Sequence, residues 1–407
     1  MKKFSVLLCA AALLCACSMK DSREGEPTSP GIDSGDVYPE DGYIDGGDSG
    51  NQGQNPAQAG KLTAGEWRDL DHWDFWSHLM AGQETDSTGK NYAEYNEYWG
   101  FYTNNRVAVR VLNEAGEPQR DVPVKLIRKT DNTTIYAGRT DNTGRTNLWI
   151  GLTQHVSSVD HSTLALVVNG QQLDQEVSVT YWGDEEQWNE CTASVTPTRN
   201  IDICFIVDAT GSMMDEIAFL KQDLTNIITT VQSNHTDAAI RTAALFYRDQ
   251  GDDYLTRVNN FTSNLSQTVS FIEDQHADGG GDYPEAVHTA LEVGLQDLSW
   301  REENSIRLAF MLLDAPPHHQ DDVITSLHAS IPQYAQKGIR IIPVAASGVD
   351  KPTEFFLRYT AMATDGTYVF LTNDSGIGGD HIEATVGEYQ VEYLNALVVR
   401  LIDQYLQ

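Results

Sequence analysis

Three nearly unbroken apolar runs in the second half of the chain, at residues 201–207, 242–247 and 306–313, constrain the fold more than any other feature. A strand without polar alternation must be buried on both faces, as strands are when helices cover each side of a parallel sheet. Segments with helical spacing alternate with these runs, at 213–231, 284–298, 321–336 and 353–363. Shorter strand-like runs fall at 257–261, 338–345 and 366–371, and residues 388–406 read as a closing amphipathic helix. The alternation predicts an α/β domain over 200–407, with a doubly wound, mostly parallel sheet of Rossmann-like layout.

Upstream, the period changes. Over residues 103–182, Val107, Val109 and Val111 alternate with other residues, and Val122, Val124 and Leu126 do so after the turn at 113–118. Further strands are expected at 135–139 and 146–150, around a second turn. Period-two patterning broken by regular turns predicts a small antiparallel β-sandwich. Its pattern resembles the immunoglobulin-like or prealbumin-like stalk modules of exported bacterial proteins, which implies a spacer. Residues 183–199 read as a linker. Residues 61–102 carry Trp67, Trp73, Trp76 and Trp99 among several tyrosines, and Leu70, Trp73 and 76–80 recur at helical spacing. This predicts a short amphipathic helix packed on a neighbour. Exposed tryptophans could instead stack sugars.

The first 17 residues look like a targeting signal. Lys2 and Lys3 precede an apolar stretch too short to span a membrane. The stretch ends in Leu14-Cys15-Ala16-Cys17, which resembles the lipobox of bacterial lipoproteins. The resemblance implies cleavage before Cys17, lipidation of its thiol and a membrane anchor through that lipid. The expected location is the outer membrane, facing the periplasm or the cell surface. Residues 18–60, rich in Gly, Asp, Ser and Pro, read as a flexible acidic linker. Of the remaining cysteines, Cys204 lies inside a core run and is expected as a buried thiol; pairing with Cys191 is left open. With 27 basic and 59 acidic residues the net charge is −32, which argues against nucleic acid as a partner.

Ligands of such sheets bind beyond the carboxyl ends of the strands, and three loops fall there. Asp208-Ala209-Thr210-Gly211-Ser212 follows the first run, and alternate residues of an extended loop point the same way. Asp208, Thr210 and Ser212 can therefore offer three oxygens to one point. These are hard donors suited to Mg²⁺, Mn²⁺ or Ca²⁺. Gly279-Gly280-Gly281-Asp282-Tyr283-Pro284-Glu285 opens a later helix, and Asp314 follows the third run.

Taken together, the three loops resemble the von Willebrand factor A (VWA) family and its metal-ion-dependent adhesion site. Where many members offer a Thr in the second loop, this chain has Gly281. Asp282-Tyr283-Pro284-Glu285 instead resembles the Asp-x-Pro-Glu of integrin β subunits, which implies Glu285 as a ligand and Asp282 as a weaker one. Asp215 and Glu216 stand where those subunits hold a second metal. The resemblance implies a non-enzymatic adhesion module whose cation takes an acidic side chain from a protein ligand. Few direct carboxylates are expected, leaving the cation under-neutralised. The rivals are a metal-assisted hydrolase built on His318 and His319, and a structural lipoprotein with a metal-free VWA domain. No P-loop, HExxH or Gly-x-Ser-x-Gly is present.

Overall fold

The computed structural model describes residues 57–407 apart from 83, 84, 87, 197 and 198. The leader, Cys17 and nearly all of the expected 18–60 linker lie outside the described residues. Residues 55–407 form one compact unit.

The unit opens with β1 (Thr63–Trp67), α1 (Trp73–Met80) and α2 (Glu94–Trp99). Eight strands follow: β2 (Asn105–Leu112), β3 (Pro123–Arg128), β4 (Thr134–Arg139), β5 (Arg145–Trp149), β6 (Leu164–Val168), β7 (Gln171–Gln172), β8 (Thr180–Tyr181) and β9 (Trp188–Thr192). Next come β10 (Asn200–Asp208), α3 (Met214–Asn234), β11 (Ala239–Tyr247), β12 (Thr256–Thr262), α4 (Leu265–Glu273) and α5 (Val287–Gln296). The chain ends with β13 (Ile306–Leu313), α6 (Asp321–Lys337), β14 (Ile339–Ala345), α7 (Lys351–Ala363), β15 (Tyr368–Leu371), β16 (Glu392–Tyr393) and α8 (Leu394–Leu406).

An eight-stranded mixed sheet runs in the order β12-β11-β10-β13-β14-β15-β1-β16. The strands from β11 to β15 in this order are parallel, while β12 and β1 are antiparallel to their inner neighbours. Successive residues of β10 enter different cores, as the two-residue period of a strand requires. Ile203, Phe205 and Val207 pack with Leu220 and Leu224 of α3 and Leu397 and Leu401 of α8. Cys204 and Ile206 pack with Leu291 of α5, Leu327 and Ile331 of α6 and Phe355 of α7. Helices thus cover both faces, which is why these strands carry no polar alternation. Cys191 and Cys204 are both free and buried.

Several expectations change. Residues 61–102 were read apart from the α/β sheet, yet β1 lies inside it, between β15 and β16. A side chain at Gly65 would sit 2.7 Å from the rings of Phe370 and Tyr389, so this strand position is glycine and leaves no apolar signal. The tryptophans are packing residues. Trp76 lies 5.8 Å from Phe355 and Trp99 5.3 Å from Phe356, both on α7, and Phe101 stacks on Tyr359 at 3.9 Å. Buried indoles cannot stack a sugar. The expected linker 183–199 contains β9, which pairs with β2 in parallel, so the sandwich extends past 182 and is not wholly antiparallel. The helix expected from 284 begins at Val287, and the one expected from 388 begins at Leu394 because Glu392–Tyr393 pairs with β1. Helix α4 was not anticipated.

The sandwich meets the α/β sheet at the amino ends of its parallel strands. Just before β15, buried Asp365 accepts hydrogen bonds from Thr146 Oγ1 at 2.7 Å and Asn147 Nδ2 at 2.6 Å. At the start of β13, Arg307 pairs with Asp121 at 2.9 Å, and Asp121 also pairs with Arg139. The three candidate loops leave the opposite end. Asp208 and Tyr247 close β10 and β11 in register, and Leu313 closes β13 beside Ala345.

Candidate metal centre

Main-chain hydrogen bonds stitch the three loops together. The Asp278 amide donates to Ala209 O and the Gly211 amide to Gly279 O, both at 3.0 Å, joining the first loop to the second. The Glu285 amide donates to Pro316 O at 2.9 Å, joining the second to the third. That bond, with Glu285 bridged to Pro317, holds 284–286 out of the helix. Buried Arg248 clamps the first loop from β11, its Nε donating to Ala209 O at 3.0 Å.

Glycines set the approach of the loops. Gly279 and Gly280 have φ of +79° and +73°, a region L side chains rarely adopt. A Cβ on Gly280 would lie 2.9 Å from Glu285 Oε1 and 3.2 Å from Thr210 Cβ. Gly280 therefore lets the second loop lie close against both Glu285 and Thr210. At Gly281 an added Cβ would meet nothing within 4 Å.

Five of the nominated residues converge. Thr210 Oγ1 lies 2.7 Å from Asp208 Oδ1 and 3.1 Å from Ser212 Oγ. The Thr210 amide also donates to Asp208 Oδ1, at 2.9 Å, fixing that carboxylate. Ser212, Glu285 and Asp314 line one cleft of roughly 700 Å³ with Asp215, Gly279–281, Asp282, Tyr283, Ser347, Gly348, Gly379 and Asp380. Asp208, Glu285 and Asp314 are buried, and each has a carboxylate oxygen with no hydrogen-bond partner: Asp208 Oδ2, Glu285 Oε2 and Asp314 Oδ1. Orphaned acceptors in one buried place are costly. Burial first, then the charge of Asp314, pushes Asp208 up to about 7; burial, then Asp208 and its acidic neighbours, pushes Glu285 to about 9; burial, with Glu216 adding to it, pushes Asp314 to about 6. A divalent cation would satisfy the orphaned oxygens and offset their repulsion, so the donor set fits the oxygen-ligated metal that the loop pattern implies.

The weaker nominations separate. Glu216 is buried and already engaged: His381 Nε2 lies 2.8 Å from its Oε1, and the Ser347 amide donates to the same oxygen at 3.2 Å. Asp215 is exposed on the cleft rim. Asp282, also exposed, turns toward Asp249 and His318. Three acidic groups, Asp208, Glu285 and Asp314, meet beside the hydroxyls. His319 binds Tyr98 O at 2.6 Å and stacks on the Tyr98 ring. It therefore serves the junction with α2 rather than the cleft. Sequence reading missed Asp249 and Asp252, whose signal was their place just after β11. Asp252 accepts from the Gly280 amide at 2.9 Å and supports the second loop.

Residues 202–359 match the family model of the von Willebrand factor A domain. The stretch contains all three loops. A putative ariadne-like RING finger protein of Acanthamoeba polyphaga mimivirus is 33% identical over 122 residues, covering 30% of this chain and 12% of that protein. The alpha-protein kinase vwkA of Dictyostelium discoideum is 27% identical over 183 residues, covering 41% of this chain and 28% of that protein. The chain thus spans well under two thirds of either relative. Among solved structures, the conserved hypothetical protein BatB from Bacteroides thetaiotaomicron aligns over 50% of this chain and 98% of its own, at 12% identity and a TM-score of 0.36. Among the described residues, no helix is long and apolar enough to cross a membrane.

Proposed function

We propose that the VWA domain is a metal-dependent binding module of a cell-envelope lipoprotein, anchored through Cys17 in the outer membrane and facing the periplasm or the cell surface. The observation that carries this reading is the convergence of three buried, partly unsatisfied carboxylates, Asp208, Glu285 and Asp314, on the hydroxyls of Thr210 and Ser212. These five residues would hold Mg²⁺, Mn²⁺ or Ca²⁺. The bound cation supplies an open Lewis-acid position. Ser212 is exposed and the space at Gly281 is empty, so the residues that would hold the cation are open to solvent on this side.

An acidic side chain of a protein ligand would enter there. Around the entrance, Asp215, Asp282 and Asp380 are exposed. Without the cation this rim repels an acidic ligand, so binding is strictly metal-dependent. A binding role rather than a hydrolase is supported by His319, one half of the histidine pair a hydrolase would use, being engaged by Tyr98.

The test is thermal unfolding of the full chain, stripped with EDTA and then titrated with Mg²⁺, Mn²⁺ or Ca²⁺, alongside Asp208→Ala. A cation that binds only the folded state adds about 2.7 kcal/mol at one hundred times its Kd. A shift in the wild type that Asp208→Ala lacks supports the centre. No shift with any cation sinks it.

A further inference from the structure

Where the sandwich meets the α/β sheet, a cavity of roughly 490 Å³ is lined by Arg139, Arg301 and Lys337. Each cation comes from a different element. Arg139 ends β4 of the sandwich, Arg301 lies in the loop between α5 and β13, and Lys337 ends α6. Gly338, with φ of +69°, lets the Arg139 stem lie across the end of α6, since a Cβ there would meet Arg139 Cδ at 2.8 Å.

The charge of this cavity runs against that of the chain. The chain has a net charge of −32, yet among the described residues three cations line the cavity against one acid, exposed Glu302. The carboxylates behind the lining are already shared. Asp121 pairs with both Arg139 and Arg307, and Asp202 with both Arg241 and Arg301. Each Asp thus answers two guanidiniums and leaves one positive charge over. Burial lowers the Arg301 guanidinium below its ordinary value; Asp202 opposes this, and the charges of Arg241 and Arg307 add to it. A bound anion would relieve that crowding.

Donors remain for a ligand. Arg139 donates from Nε to Asp121 Oδ1 at 2.6 Å and from Nη2 to Asp121 O at 2.8 Å, which leaves Nη1. Arg301 uses Nη1 on Ile201 O and Asp202, which leaves Nε and Nη2. Lys337 uses one of its donors on Leu295 O at 3.0 Å. Three cations on separate elements suit a tetrahedral oxyanion, whereas one guanidinium fork is enough for a planar carboxylate. The volume falls within the range of small-molecule sites, so there is room for more than a bare ion, and Ser299 and Gln336 offer neutral polar groups to the remainder.

We propose that Arg139, Arg301 and Lys337 bind the phosphate group of a small phosphorylated molecule at this junction. The site lies toward the amino ends of the parallel strands, opposite the metal cleft, and needs no metal. Because the sandwich supplies Arg139 and the α/β part supplies the other two, a bound ligand also holds the two layers together.

The test is isothermal titration calorimetry of the metal-stripped full chain with inorganic phosphate and with glycerol 1-phosphate. Both should bind saturably at about one equivalent, the ester at least as tightly as the ion, and malonate about tenfold more weakly. Arg301→Gln and Lys337→Gln should each weaken phosphate about tenfold, the loss of one charge-assisted hydrogen bond. Lys337 is exposed, so unfolding of Lys337→Gln without phosphate should match the wild type. Glu302→Gln removes the acid of the lining and should tighten phosphate by about twofold, a gain that merely structural cations do not predict. Asp208→Ala should bind phosphate as the wild type does, which separates this site from the metal centre. No saturable binding of either phosphate compound overturns the proposal, because the cations then serve only the carboxyl ends of α5 and α6. Phosphate binding that survives in both Arg301→Gln and Lys337→Gln overturns it too. An ester that binds more weakly than the ion, or malonate that binds as tightly, overturns the assignment to a phosphorylated molecule.

Discussion

Gly280 shows how much the centre depends on single atoms. Its left-handed backbone and its contact with Glu285 Oε1 both exclude a side chain. Gly280→Ala should destabilise the protein by about 1–2 kcal/mol from backbone strain alone, and should abolish the Mg²⁺ shift by pressing on Glu285 and Thr210. Urea unfolding with and without Mg²⁺ measures both effects; a variant that keeps the full shift refutes this role. The carboxylates also give the metal-free protein a definite pH dependence. Asp208, Glu285 and Asp314 hold their protons in the folded state to about 7, 9 and 6, above ordinary values of 3.8, 4.5 and 3.8. On unfolding they release those protons, so the stability they contribute is full below about pH 4 and is lost as pH rises toward 9. Unfolding in EDTA should therefore show lower stability at pH 8 than at pH 5 from this cluster, and Asp208→Asn should weaken the slope. Saturating Mg²⁺ should flatten it.

At the scale of elements, β1 is the unexpected part. It is a five-residue strand placed between β15 and β16, hydrogen-bonded to both, with Leu62 and Ala64 in the core shared by α3 and α8. Gly65 lies under the rings of Phe370 and Tyr389, and any larger residue must displace them. Gly65→Val should cost about 1–3 kcal/mol by overpacking, read as a lower urea midpoint with the Mg²⁺ shift preserved, since β1 and the centre share no residue. Loss of the shift would show that the sheet edge and the loops are coupled. Helices α5 and α8 start later than their periodicity suggests for a related reason: tertiary hydrogen bonds from Glu285 and the pairing of Glu392–Tyr393 with β1 take residues that could have been helical.

For the whole molecule, the sandwich and the α/β sheet share buried polar contacts. Asp365 is held by Thr146 and Asn147, Asp121 joins Arg139 to Arg307, and the Tyr136 hydroxyl donates to Ala363 O at 2.6 Å. The aromatic segment adds Trp99 Nε1 donating to Pro352 O. Calorimetry should accordingly show one cooperative transition for residues 55–407. Asp365→Ala strands the buried Asn147 and Thr146 donors, at about 1–3 kcal/mol, and should lower or split that transition. An unchanged transition would mean the two layers unfold independently. Because these contacts sit at the amino ends of the strands and the cleft at the carboxyl ends, the sandwich does not cover the cleft.

The sequence alone determined the strand–helix alternation, because strands buried on both faces must be continuously apolar, and it located the first and third loops, because each follows such a strand; the second was marked by its three glycines ahead of a helix. Asp208, Thr210, Ser212 and Asp314 were legible for the same reason, since short polar motifs at strand ends are local, and Glu285 was legible through the resemblance of its Asp-x-Pro-Glu segment. What only the tertiary structure decided involves residues far apart in the chain. The sequence could not place β1 in the sheet, since a glycine beneath two aromatic rings carries no hydrophobic period. It could not show that Glu216 is engaged by His381, 165 residues away, or that His319 is held by Tyr98, 221 residues away. Nor could it bring Asp249 to Asp282 and His318. Those assignments depend on which loops pack against one another, and the main-chain bonds from Asp278, Gly211 and Glu285 set that packing.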